Sequence, residues 1–380
     1  MLNFWVKSRY TLWIVALVWG SLSCSKDGDG PDAGQGQQVI PRFFSAESPW
    51  NTPIPEDAVY SPEGDARTQK LANPSLVFQV KKSDWTQWVY HAKESDPTVT
   101  FFISSTHLPD NTDNSRDGYV EIKMPAEAVP DRGCSTCPGG FRNGWDDDSP
   151  GFDGHITVID PAGEYSHEFW HTGFDENTRN YTAVSYARVP LDGKGVNIQG
   201  QLTEKLTGEY RNPDFLTYGW GSSRSYGGSN LGGLIMKGDI TEGKIDHALA
   251  ILMPFSFIGF PESGYPLYPA TKAEYACAET GPIVMGTRFA IPRDIDINSL
   301  GLSAASKALA KALQEYGAYL IDSAGEGNVN LNADGVGAQG EAEALNARSD
   351  EMKKLLSLLR VVQPEDPAIN TNTLPKPPGC

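Results

Sequence analysis

Positive charge and long apolar runs are both scarce in this sequence. The chain has 31 Lys and Arg residues but 48 Asp and Glu residues, and the formal net charge is −17. Such a surplus of negative charge disfavours nucleic acid and anionic lipid surfaces as partners. The apolar run at residues 10–20 is too short to span a bilayer, which takes about 20 residues. With 380 residues, the chain can still bury a full core without staples.

Cysteine is also rare, with five residues in the whole chain. Cys134 and Cys137 form a CxxC, but no second CxxC or nearby histidine completes a zinc site. Pro-Gly-Gly follows Cys137 and disfavours a helix there, so the pair lacks the helix N-terminus that a redox site needs. If Cys24 is modified, Cys134, Cys137, Cys277 and Cys380 are an even set. In an oxidising compartment this set allows two disulfides and favours a loop staple.

The N-terminus has the layout of an export signal. Residues 1–23 combine Lys7 and Arg9 with the apolar run, and small residues precede Cys24. Ser23-Cys24 with the polar, acidic residues after it resembles the lipobox of bacterial lipoproteins, although Ser21 departs from that pattern. We expect lipidation of Cys24, a flexible tether at residues 24–40 and anchoring at the outer surface. The alternative is cleavage by an ordinary signal peptidase and a periplasmic or secreted protein.

The folded part of the sequence, from residue 41, is dominated by strand patterns. Short β-branched and aromatic runs alternate with Gly, Pro, Asn and Asp up to about residue 300, and no helix of ordinary length interrupts them. The clearest runs are residues 76–80, 98–103, 119–124, 155–160, 165–170, 183–189, 247–253 and 287–291. This pattern predicts a mainly β fold, as an antiparallel β-sandwich or jelly roll.

Helical spacing is found late in the chain. Residues 303–320 predict a helix with Ser303 as its N-cap, which would pack on the β domain. Residues 341–361 carry a second apolar stripe with charged residues elsewhere. We therefore expect a β domain at residues 41–325 and a helical appendage with a Pro-rich tail at residues 326–380.

The most informative segment is the predicted hairpin at residues 152–171. If Asp160 pairs with Tyr165 across the turn, side chains divide by the period of two. The polar face then carries His155, Thr157, Glu168 and Trp170. The opposite face carries Ile156, Val158 and Phe169, which should be buried. We expect the polar face to line an open cleft, with His155 and Glu168 as an acid–base pair.

Two further segments supply candidate catalytic groups. His247 lies at the mouth of a buried strand, and Arg288 could neutralise a substrate carboxylate, as a uronate lyase requires. A metal site with His and Glu ligands is a weaker alternative for the two histidines. Candidate substrate-binding residues are Trp170, Trp220, Asp153 and Tyr226, since aromatic rings offer stacking platforms.

The sequence does not require a cofactor. Asp146, Asp147 and Asp148 form an acidic loop that could hold calcium. A near-match to an EF-hand loop places Asn330, Asn332, Asp334 and Glu341 at ligand positions. Its first ligand is Asn, and Gly337 occupies the usual apolar position, so a Gly- and Asn-rich connector is favoured.

Four segments together resemble a broad, largely uncharacterised family of secreted bacterial proteins. These are Ser-Pro-Trp-Asn at residues 48–51, the His155 hairpin, Gly-x-Ile-x-His-Ala-Leu at residues 243–249, and Met-Gly-x-Arg at residues 285–288 with the helix ending Tyr316-Gly317. The resemblance spans residues 48–322, and in such relatives His155, an acid near Glu168, His247 and Arg288 have counterparts. It implies a role in carbohydrate chemistry.

The expected function is cleavage of an extracellular polysaccharide, as a lyase or a glycoside hydrolase. A non-catalytic surface glycan-binding lipoprotein is the main alternative, and an envelope structural protein is the third. The only expected membrane contact is the lipid anchor.

Overall fold

The computed structural model describes residues 43–104, 117–131, 153–175, 180–196, 216–219, 224–259, 266–271 and 281–365. The predicted signal sequence, the predicted tether and all five cysteines lie outside this part, as do Trp220 and the acidic loop at Asp146, Asp147 and Asp148. Among the described residues, no helix is long and apolar enough to cross a membrane.

Sixteen strands and four α-helices are described. The strands are β1 (Val59–Tyr60), β2 (Val77–Lys81), β3 (Val89–His91), β4 (Thr98–Ile103), β5 (Gly118–Lys123), β6 (Ile156–Ile159), β7 (Tyr165–Trp170), β8 (Gly173–Asp175), β9 (Asn180–Ala183), β10 (Ser185–Pro190), β11 (Leu216–Gly219), β12 (Leu249–Pro254), β13 (Arg288–Ala290), β14 (Ala318–Ala324), β15 (Asn328–Asn332) and β16 (Arg360–Gln363). The helices are α1 (Ala66–Leu71), α2 (Ala304–Glu315), α3 (Gln339–Asn346) and α4 (Ser349–Leu358).

The strands form three open sheets, so the prediction of a mainly β fold is confirmed. Their orders are β1-β16-β13-β14-β12-β15-β2, β11-β10-β7-β6-β3 and β5-β4-β9-β8. The prediction of purely antiparallel sheets is wrong, because each sheet contains a parallel pair, such as β12 with β14, β3 with β6 and β4 with β9. The partners of these pairs are far apart in sequence, and long connections let strands pair in parallel.

The register of the predicted hairpin is confirmed. Strand β6 pairs with β7 so that Thr157 lies opposite Glu168 and Ile156 opposite Phe169. The amide of Asp160 donates to the carbonyl of Tyr165 at 3.0 Å, which closes the turn. The apolar face is fully buried, as predicted.

The five-stranded sheet is covered on both faces. Its apolar face packs on the four-stranded sheet, where the rings of Phe101 and Phe169 stack with centroids 4.0 Å apart. Its other face contributes Val89, Ile159 and Ala187 to the same core cluster as strands β12 and β14 of the seven-stranded sheet. The polar side chains of β6 and β7 therefore point into the protein and not into solvent.

Of the two helical patterns late in the sequence, the first forms one helix and the second is divided into two helices and a strand. Helix α2 begins after Ser303, whose hydroxyl accepts the amide of Ser306, so the predicted N-cap is confirmed. The stripe at residues 341–361 is divided into α3 and α4 and ends as strand β16, with Leu345, Leu355, Leu356 and Leu359 buried. Strands β14, β15 and β16 belong to one sheet, so the predicted boundary between residues 325 and 326 falls inside that sheet.

Candidate functional site

Glu168 lies at the centre of a buried polar network between the five-stranded sheet and the loop that begins at Arg224. Its Oε1 accepts hydrogen bonds from the hydroxyls of Ser166, at 2.8 Å, and Ser229. Its Oε2 accepts the amide of Asn230 at 2.7 Å. The side-chain amide of Asn230 donates to Thr157 Oγ1 at 3.1 Å, so the loop is fixed to both strands of the hairpin.

The carboxyl group of Glu168 is fully buried, and this changes its acidity. Burial raises the pKa of Glu168 to about 7, although the three donors and the charge of Arg224 act in the opposite direction. The expectation that His155, Thr157 and Glu168 line an open cleft is wrong, because each is at most 2 % exposed. The seven-stranded sheet and its loops cover this face, which no local pattern in the hairpin indicates.

Arg224 joins the same network to the seven-stranded sheet. It is 2 % exposed, and its Nη1 lies 3.7 Å from Oδ2 of Asp322 on β14. With its amide oxygen turned toward Arg224, Asn332 of β15 accepts from Nη1 and Nη2 at 3.2 Å. The buried network thus includes one cation and two carboxyl groups.

A second cluster of titratable groups lies where β6 begins. Nδ1 of His155 is 3.8 Å from Oδ2 of Asp153, whose side chain is 36 % exposed, whereas that of His155 is 3 % exposed. The carboxyl group of Asp131 accepts the amide of His155 at 2.7 Å and that of Trp85 at 3.0 Å. On the other side, the hydroxyl of Thr172 donates to the carbonyl of Gly154 at 2.8 Å.

The acidities in this second cluster are strongly perturbed. Burial raises the pKa of Asp131 well above its usual range, and the nearby charge of Asp153 raises it further. Burial lowers the pKa of His171 to about 4, and the charge of His155 contributes to this. Trp170 is partly exposed and packs against the His171 ring, with centroids 5.1 Å apart. We call Asp131, Asp153, His155, His171 and Trp170 the His155 cluster.

His247 belongs to a different environment. Its Nε2 lies 3.4 Å from Oδ2 of the buried Asp239, and its Nδ1 lies 2.9 Å from the carbonyl oxygen of Ala248. Both ring nitrogens are thus engaged, which leaves neither for a substrate. Burial alone would lower the pKa of His247, but the hydrogen bond and charge of Asp239 raise it above its usual value.

Arg288 supports the backbone. Its Nε and Nη2 donate to the carbonyl oxygen of Tyr316 at 2.9 and 2.6 Å, and Nη2 also donates to that of Thr52 at 2.7 Å. The guanidinium lies over the ring of Tyr319, 5.0 Å from its centroid. These contacts give Arg288 a structural role at the end of α2, and neutralisation of a substrate charge stays a prediction. Glu168, His247 and Arg288 thus belong to separate hydrogen-bonding environments.

Tyr226 cannot stack on a substrate, because it is fully buried. Its hydroxyl donates to the carbonyl of Ser229 at 2.9 Å, and its ring meets that of Trp50 edge-on at 5.9 Å. The predicted substrate-binding role of Tyr226 is therefore wrong. Its position among Gly and Ser residues suggested a surface loop, but the segment is packed against the core.

The residues of the EF-hand-like segment have other partners. Asn330 and Asn332 lie in strand β15, and Asp334 accepts the amides of Val89 and Gly337 at 3.1 and 2.8 Å. Glu341 accepts the amides of Gly238, Ile240 and Thr241 at 2.9 to 3.1 Å. These hydrogen bonds support the Gly- and Asn-rich connector that the sequence favours over a calcium loop. Among the described residues, no three His, Cys, Asp or Glu side chains are grouped to hold a metal ion.

Sequence reasoning missed Asp131, Arg224, Ser229 and Asn230. Asp131 is a single aspartate shortly before the CxxC motif, and Arg224 stands among Ser, Gly and Tyr residues typical of an exposed loop. Ser229 and Asn230 precede Leu-Gly-Gly, and a polar pair before buried apolar residues is the one available signal.

Comparison with family models, with curated proteins and with solved structures yields no match to this chain.

Proposed function

We propose that this chain is an exported enzyme that cleaves polysaccharide by acid–base chemistry at the His155 cluster. The observation that supports it best is the contact between His155 and Asp153 beside the partly exposed Trp170. Titratable groups with perturbed acidities that gather at one place are a common sign of a functional site. The cluster has two carboxyl groups and two imidazoles, of which Asp153 is open to solvent.

Asp153 and His155 have different tasks in this proposal. Cleavage of a glycosidic bond needs a proton delivered to the leaving oxygen and a base for the attacking group. Asp153 can meet a substrate, because about a third of its side chain is exposed; it gives its proton to the leaving oxygen and then takes a proton from the water that attacks the sugar. The buried His155 orients the Asp153 carboxyl group and influences its protonation state. Trp170 stacks on a sugar ring.

Hydrolysis of a neutral polysaccharide is the preferred form of the reaction. The case for a uronate lyase rested on Arg288, and the guanidinium of Arg288 holds two backbone carbonyls instead. The net charge of −17 also opposes the approach of an anionic polymer. Glu168 acts as a positioning residue, since it joins the hairpin to the loop at Ser229 and Asn230.

The proposal keeps the remaining expectations. These are export with lipidation at Cys24, a tether that holds the domain at the outer surface, a sugar-stacking role for Trp220, and kinship with the secreted bacterial family. A sandwich arrangement also belongs to the proposal and is supported by the packing of the four-stranded on the five-stranded sheet.

A non-catalytic glycan-binding protein is the second candidate, and one observation favours it. Phe102 and Tyr119 are cross-strand neighbours on the outer face of the four-stranded sheet and are 44 % and 63 % exposed. Their ring centroids lie 6.3 Å apart, so they form a paired aromatic surface on this sheet. Exposed apolar patches of this kind mark binding sites.

One experiment separates the two candidates. Full-length protein is incubated with neutral and acidic polysaccharides, and both binding and new reducing ends are measured. The enzyme proposal predicts new reducing ends that vanish in Asp153→Asn but persist in a Phe102→Ala, Tyr119→Ala double variant. Binding without cleavage, lost in the double variant, supports the second candidate. Unsaturated products that absorb in the near ultraviolet mean that the enzyme is a lyase.

A further inference from the structure

His247 closes a compact loop in front of strand β12. We call residues 236–247 the latch loop. Inside it, the carboxylate of Asp239 accepts the amide of Met236 at 2.7 Å, and the carbonyl of Asp239 accepts the amide of Lys244 at 2.9 Å. Glu341 of α3 holds the middle of the loop through three backbone amides. The imidazole of His247 contacts Asp239 and the carbonyl of Ala248, the residue just before β12.

The two contacts of His247 are compatible with one protonation state. Nδ1 lies 2.9 Å from the carbonyl oxygen of Ala248, and Nε2 lies 3.4 Å from Oδ2 of Asp239. A carbonyl oxygen and a carboxylate only accept hydrogen bonds, so both nitrogens must carry hydrogen. A neutral imidazole carries one hydrogen and must give up one of the two contacts. The cost is the desolvation of the group left without its hydrogen bond.

The charges around the ring favour the same state. Asp239 is 1 % exposed, and its carboxylate and that of Asp246 both raise the pKa of His247. Lys244 of the same loop lies 2.5 Å from Asp246 and pairs with that carboxylate. The carbonyl of Ala248, the residue just before β12, also faces the ring. The ring therefore faces negative charge from Asp239 and Asp246 of the loop and an acceptor from Ala248.

We propose that the latch loop is a proton-controlled switch, closed while His247 is an imidazolium and opened between Asp239 and β12 when the ring loses a proton. The loop follows directly on the segment in which Ser229 and Asn230 hold Glu168. The amide of Ala250 in β12 bonds to the carbonyl of Gly233 in that same segment. Opening of the loop thus loosens the chain next to the buried network. This inference does not depend on the proposed function.

The test follows the His247 ring and the loop amides of the full-length protein by NMR from pH 5.5 to 8.5. We expect His247 to titrate above 6.5 in the parent and at a lower pH in Asp239→Asn, which keeps an acceptor for the Met236 amide. Protection of the loop amides, corrected for intrinsic exchange, should fall about three- to tenfold as the ring titrates, the effect of losing one hydrogen bond.

The matched control is His91→Asn, which removes an exposed histidine from β3. It should leave both the titration of His247 and the loop protection unchanged. The proposal is overturned if His247 titrates at or below 6.5 in the parent. It is equally overturned if the loop amides keep constant protection while His247 titrates. Both outcomes are measured on the parent protein, so they do not depend on whether a variant folds.

Discussion

Glu168 should make the stability of this protein fall as the pH rises from about 4.5 to 7. Burial raises its pKa from 4.5 to about 7 in the folded protein. A carboxyl group with a raised pKa binds its proton more tightly in the folded state. The stabilisation is therefore complete below the unfolded pKa and is lost as the pH rises through the folded pKa. At about 1.4 kcal/mol per pKa unit, the change amounts to about 3 kcal/mol.

The replacement Glu168→Gln tests this directly. Its carbonyl oxygen can accept the amide of Asn230, and its NH₂ can donate to the serine hydroxyls that now donate to Glu168. Near pH 5 the two proteins should therefore have similar free energies of unfolding. Near pH 8 the parent must bury a charge, and the variant should gain about 3 kcal/mol relative to it.

The measurement is urea unfolding of both proteins across this pH range. The difference between them is the informative quantity, because other groups titrate too. Burial lowers the pKa values of His167 and His171 to about 4. These two residues therefore make the protein less stable as the pH falls from 6.5 toward 4, the opposite of the effect of Glu168. Parallel curves for parent and variant would refute the reasoning. A parent that loses stability relative to the variant in acid would mean that the three donors outweigh burial.

Three further predictions concern stability at pH 7, each measured by urea unfolding. Arg288→Ala should lower the free energy of unfolding by about 2 kcal/mol, because two backbone carbonyls lose a charged donor, and a loss of turnover alone would contradict this. Glu341→Gln should cost about 1 to 3 kcal/mol by weakening charge-assisted bonds to the latch loop, and an unchanged midpoint would contradict it. Gly233→Ala should cost at least about 3 kcal/mol, since its Cβ would lie 2.3 Å from the amide nitrogen of Ala250. Gly243→Ala, at the same φ of +72° with open space around it, should cost about 1 kcal/mol, and equal losses would refute the steric argument.

The local part of the fold could be predicted from the sequence. The hairpin register follows from the turn after Asp160 and from the alternation of side chains, both of which are properties of neighbouring residues. The N-cap at Ser303 follows from a hydroxyl before a helical apolar pattern. The buried face of Ile156, Val158 and Phe169 follows in the same way.

The burial of the polar face could not be predicted, because it depends on residues far away in sequence. Glu168 meets Ser229 and Asn230, which lie 61 and 62 positions later, and those contacts exist only after two sheets have packed. The hydrogen bonds of Arg288 could not be predicted for a similar reason. Its acceptors are backbone carbonyls, which every residue has, so the sequence carries no mark of them.

The candidate site was found in part. His155, Asp153 and Trp170 were predicted and lie together where β6 begins and β7 ends. Asp131, 24 positions before His155, was missed because a single aspartate shows nothing of the two amides that it accepts. Glu168, from the same hairpin, belongs to a separate hydrogen-bond network, as do His247 and Arg288 from distant segments.

The initial rate of reducing-end release by the full-length protein, on whichever polysaccharide it cleaves fastest, tests the central claim most directly. It is compared between the parent, Asp153→Asn and His91→Asn. The account predicts a loss of at least about 100-fold in Asp153→Asn, the scale of one acid–base group, and an unchanged rate in His91→Asn. Equal rates in all three proteins, or no release from any polysaccharide by the parent, would contradict it.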